Sequence, residues 1–93
     1  MKKQNITQMH SGHLSITLVE NISAQEFSFL ATQWSNQLGA RMLSKAGNFD
    51  VSLWTVEISG ETFYLAWDIW QNALTLESTS KNGDKIIESL KID

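Results

Sequence analysis

The chain has 93 residues, with seven Lys+Arg against ten Asp+Glu and a formal net charge of −3 at pH 7. That length suits one domain rather than two, and the acidic balance excludes a nucleic-acid binder whose affinity rests on neutralising phosphates. With no cysteine, disulfide frameworks and thiolate metal sites are excluded as well.

Two lysines follow Met1, but no apolar signal-peptide core comes after them, and the apolar runs are too short for a membrane-spanning helix. A soluble, cytoplasmic protein is expected. Residues 1–12 are polar apart from Ile6 and Met9, which predicts a flexible or loosely docked N-terminal segment ahead of a single domain over 13–93.

From His13 to Glu20 the apolar residues Leu14, Ile16 and Leu18 alternate, which predicts a strand. Ser23-Ala24-Gln25-Glu26 is a capping box, and Ile22 is placed to staple onto Phe27. Phe27, Leu30, Ala31, Trp34 and Leu38 then fall on one stripe, and Gly39 stands where a left-handed helix end belongs. A helix over 22–39 follows.

Four strands are predicted next, at about 40–46, 51–58, 62–70 and 73–78. A two-residue loop at Ser59-Gly60 sets Ile58 against Glu61, Val56 against Phe63, Trp54 against Leu65 and Ser52 against Trp67. A second such loop at Gln71-Asn72 sets Ile69 against Leu74 and Trp67 against Leu76, and Asp68 then faces Thr75. Both registers gather the apolar residues on one face, and a slip of one residue in either would scatter them. The turn near Gly47-Asn48 leaves Leu43 and Met42 as alternatives for that face. After a turn at Lys81-Asn82-Gly83, Ile86, Ile87 and Leu90 predict a short helix over about 84–91.

The expected fold class is α+β, a two-layer sandwich in the order β-α-β-β-β-β-α. Its sheet is mostly antiparallel, with both helices on one face. The helical crossover is long enough to return the first strand parallel to the second.

The capped helix with Phe27, Trp34 and Gly39, followed by Trp54 and Trp67 on successive strands, resembles a family of small bacterial α+β proteins of roughly 100 residues. That family is classed as a domain of unknown function. The likeness covers about residues 14–80 and implies no activity, ligand or catalytic residue.

The residues themselves offer little chemistry. His10 and His13 have an H-x-x-H spacing but lack further ligands, so they read as solvated histidines and no metal is expected. The carboxylates Glu57, Asp68 and Glu77 read as solvated strand residues. No nucleophile elbow or phosphate-binding glycine loop occurs. The expectation is a protein that is not an enzyme and carries no cofactor.

The aromatic residues stand out. By parity Trp70 shares the outward sheet face with Val51, Leu53, Tyr64 and Ala66, and Phe29 lies about 200° around the helix from Phe27. Leu53, Tyr64, Trp70 and Phe29 are therefore the candidate interface residues of a non-catalytic interaction module, acting as a homodimer or on a protein partner. A small-molecule binder with an aromatic pocket near Trp70 is the alternative. Neither nucleic acid nor membrane is an expected partner.

Overall fold

In the computed structural model the described residues are 6–90. Six strands and two helices follow in the order β1 (Ile6–Gln8), β2 (Leu14–Val19), α1 (Ala24–Leu38), β3 (Arg41–Gly47), β4 (Val51–Ile58), β5 (Glu61–Asp68), β6 (Leu74–Ser78) and α2 (Lys81–Ser89). They build one sheet with strand order β1-β2-β6-β5-β4-β3. Every ladder in it is antiparallel.

The crossover helix returns the chain in the expected direction, but not beside the strand it left. β2 and β3 run the same way with β6, β5 and β4 between them. Length explains the choice: 15 helical residues span about 22 Å, and four strand spacings amount to about 19 Å. α1 therefore bridges the sheet and delivers the chain to its far edge.

The helix begins and ends where its local sequence dictates. Ser23 Oγ accepts from the Glu26 amide, and Glu26 Oε1 accepts from the Ser23 amide at 2.9 Å. Gly39 closes the helix at φ 68°, a conformation that costs glycine no Cβ clash.

The β4–β5 register is the expected one throughout, from Ile58 opposite Glu61 to Ser52 opposite Trp67. Its two-residue loop holds Ser59 at φ 52° and Gly60 at φ 82°, the double positive φ that matches strand twist. One row of the inner face runs Ile16, Leu76, Leu65, Trp54 across four strands. These residues form one cluster with Phe27 and Ala31 of α1 and Ile87 of α2, so both helices cover the same face.

Three expectations need correction, and the open choice between Leu43 and Met42 is resolved. The N-terminal segment is not loose throughout: Ile6–Gln8 pair with Leu14–Ile16 as an edge strand, and Ile6 packs against the core opposite Ile16. Residues 1–5 of that segment lie outside the described residues.

The β5–β6 connection is longer than a two-residue loop. Asp68 Oδ1 accepts from the amides of Trp70 and Gln71 at 3.0 and 2.8 Å, which ends β5 at Asp68. Leu76 then faces Leu65 rather than Trp67, and Thr75 faces Ala66 rather than Asp68. The slip is two residues, so parity survives, but Ile69 leaves the core face.

The β3–β4 hairpin turns at Phe49-Asp50, with the Asn48 amide donating to the Val51 carbonyl at 2.8 Å. A bulge at Leu43 then sets Met42, not Leu43, opposite Val56. Leu43 is exposed, while Lys45 Nζ reaches over the Trp54 ring, 4.2 Å from its centroid.

α2 starts three residues early. Ser80 is its cap, accepting from the Gly83 amide at 2.9 Å, so Lys81-Asn82-Gly83 form its first turn rather than a loop.

Candidate functional site

The four sequence-predicted site residues do not form one patch. Leu53 and Tyr64 lie diagonally on the outward sheet face, since Leu53 pairs with Ala66 and Tyr64 with Thr55. Both are half-buried. Phe29, 65% exposed, lies on α1, in the layer behind the other sheet face. Trp70 is not on the sheet face at all. β5 stops at Asp68, so strand parity no longer places its ring, which projects from the β5–β6 connection at 76% exposure.

Trp70 has different neighbours. The β5–β6 connection is joined to the β3–β4 turn by a hydrogen bond from the Ile69 amide to the Asp50 carbonyl, 2.9 Å. It is also joined to the β2–α1 loop by the Ile22 amide and the Asn72 carbonyl, 2.8 Å. The buried Trp67 Nε1 donates to the Ile22 carbonyl at 2.9 Å and ties that loop to the core. Phe49 on the β3–β4 turn is 95% exposed and Ile69 is 47% exposed. Three large apolar side chains are thus presented on cross-linked loops at one end of the sheet. Phe49 was missed because its parity near an uncertain turn carried no signal.

The opposite end holds the polar chemistry. A second outward row runs Thr55, Tyr64, Glu77, Ser15. Beside it the β1–β2 turn closes a groove of about 420 Å³, lined by Met9, His10, His13, Tyr64, Glu77 and Thr79 among others. Burial pushes the Glu77 carboxyl above its ordinary value of 4.5; a hydrogen bond from Thr75 opposes the shift and nearby Asp68 adds to it.

His13 is held in place rather than solvated. Its Nδ1 lies 3.0 Å from Asp84 Oδ2, and Asp84 Oδ1 accepts from the Leu14 amide at 2.9 Å. These bonds, His13 first and then Leu14, hold the Asp84 carboxyl below its ordinary 3.8. Asp84 therefore contributes stability at neutral pH, and that contribution is lost as pH falls below about 3.8 and through its native pKa. In urea unfolding, the stability gap between wild type and Asp84→Asn should be open at pH 7 and narrow below pH 4. A gap that widens on acidification would contradict the assignment. Among the described residues no group of three or more His, Asp or Glu side chains could hold a metal ion.

Fold and site together define a small two-layer α+β domain with an apolar loop tip at one end and a groove carrying Glu77, His10 and His13 at the other. The chain belongs to the family described as a protein of unknown function, DUF3630, whose model matches residues 4–91 and so includes β1 and all of α2. No curated protein and no solved structure matches the chain.

Proposed function

We propose that the domain is a non-catalytic interaction module that docks through the tip formed by Phe49, Ile69 and Trp70 onto another protein. The supporting observation is the exposure of these three side chains on loops already fixed by hydrogen bonds. Large aromatic side chains are the residue type that dominates binding energy at interfaces. Loops ordered before binding lose less entropy when they dock.

Charge selects the occupant. Segments 48–53 and 66–74 contain Asp50 and Asp68 but no lysine or arginine. A second copy meeting tip to tip would bring like charges together, whereas a partner with an apolar socket rimmed by Lys or Arg would complement them. The same acidity disfavours anionic lipid.

A photoreactive phenylalanine replacing Phe49 or Trp70 in turn tests this in the cells that make the protein, with Lys85 on the exposed side of α2 as the control position. One discrete protein adduct common to 49 and 70 and absent at 85 is expected. With that partner purified, Trp70→Ala should weaken binding by about 30-fold, a loss of about 2 kcal/mol. Added salt should weaken it further. Adducts only to a second copy, or none shared by the two positions, would overturn the proposal.

A further inference from the structure

The groove beside Tyr64 has features that the docking tip does not use. Glu77 is half-buried, and its cross-strand neighbours are Ser15 and Tyr64, neither of which brings a positive charge. Among the described residues it enters neither the Arg41–Glu57 ion pair nor the His13–Asp84 contact. Among the same residues its one side-chain hydrogen bond is a long one, 3.4 Å from Thr75 Oγ1. A carboxylate accepts about four hydrogen bonds when fully satisfied, so most of the capacity of this groove-lining residue is left unused.

The remaining lining is suited to the same occupant. Tyr64 supplies an aromatic ring whose face attracts a cation, and Met9 an adaptable apolar surface for the cation's apolar body. His13 has Nδ1 committed to Asp84, which leaves Nε2 as its remaining polar atom. Thr79 Oγ1 is already spent on the Thr62 carbonyl at 2.7 Å and Ser78 Oγ on the Ser80 carbonyl at 2.9 Å. Among the described residues no lysine or arginine lines the groove. The basic side chains among its described lining are His10 and His13 alone, so an anion would meet Glu77 with no permanent positive charge beside it. A neutral ligand would leave the carboxylate desolvated and unpaired, which is costly.

From this geometry we infer that the groove between the β1–β2 turn and the Tyr64–Glu77 pair is a binding site for a small organic cation, an alkylammonium or guanidinium group with a short apolar body. The cation sits against the Glu77 carboxylate and the face of Tyr64. The lost solvation of Glu77 supports the same conclusion, because a cation restores what burial removes.

Amide NMR titration of the full chain with methylguanidinium and with tetramethylammonium is the test, with tert-butanol as a neutral control of similar bulk. Saturable shifts confined to residues 9–13, 64 and 77–79 are expected for at least one cation and not for the alcohol. The Glu77 carboxyl titration should move to lower pH when that cation is bound. Glu77→Gln should weaken binding about tenfold or more, as expected for loss of a charge-assisted contact, and Tyr64→Leu should weaken it independently. Absence of saturation with both cations, equal shifts with tert-butanol, or full affinity in Glu77→Gln would each overturn the assignment. A loss of affinity in Glu77→Gln counts only if its amide spectrum stays native; otherwise Tyr64→Leu and the carboxyl titration of wild type decide.

Discussion

Phe27→Ala should lower the unfolding free energy by about 3–5 kcal/mol. Phe27 is 1% exposed in the first turns of α1, where it meets Trp54 edge-on at 5.3 Å between ring centroids and 84° between planes. It packs in one cluster with Ile22, Val56 and Leu65, so truncation opens a cavity where the helix is pinned to the sheet. A domain of this size has about 5–14 kcal/mol to lose. The melting temperature should fall by roughly 12–40 °C, at about 4–8 °C per kcal/mol. Urea denaturation followed by the near-UV signal of the tryptophans checks it. A loss under about 1.5 kcal/mol would mean that α1 is anchored elsewhere.

Gly83→Ala should destabilise, although the same change in an ordinary helix interior stabilises by about 1 kcal/mol. A Cβ at Gly83 would stand 2.5 Å from Ser78 Oγ and 3.1 Å from Ser80 Oγ. Neither hydroxyl is free to retreat. Ser78 is 3% exposed and donates to the Ser80 carbonyl at 2.9 Å, while Ser80 Oγ donates to Glu61 Oε1 at 2.7 Å and caps α2. Overpacking of this kind costs about 1–3 kcal/mol. Removing the obstructing hydroxyl should recover part of the loss. The Ser78→Ala/Gly83→Ala cycle should therefore show a favourable coupling of about 1 kcal/mol or more. If Gly83→Ala stabilises the unaltered background, the close approach of α2 to β6 is wrong.

What was legible in the sequence follows from which interactions are local. The box at Ser23–Glu26 and the positive-φ pair Ser59-Gly60 are complete within a few residues, and both elements stand where they were expected. Strand parity was equally robust, because a two-residue slip leaves every side chain on its own face. Trp54 and Trp67 accordingly both reach the core. The same slip was fatal to the site. Placing Trp67 opposite Leu76 sets Tyr64 two residues away from its true partner Glu77. The cause lies in Asp68, whose carboxylate captures two amides and lengthens the turn. A sequence shows such a residue but not its rotamer.

The His13–Asp84 contact was out of reach for another reason. The two residues are 71 positions apart, and they meet because the antiparallel pairing of β2 with β6 brings the start of β2 to the start of α2. That pairing depends on α1 crossing the whole sheet, which periodicity alone does not reveal. His13 also had to be read beside a segment expected to be loose, whereas Ile6–Gln8 form a hairpin with β2 that fixes it.

The displaced register at Leu43 bears on how copies of this chain behave at high concentration. β3 is one of the two outermost strands, and its bulge breaks the even spacing of amides and carbonyls that an incoming strand would need. Lys45 leans inward over Trp54 from the same strand, so a docking neighbour would have to bury an ammonium group. Among the described residues the other rim, β1, offers three residues. Side-by-side growth of this sheet into fibrils is therefore blocked at both rims, and the chain can present bare aromatic rings on its loops without polymerising through its backbone.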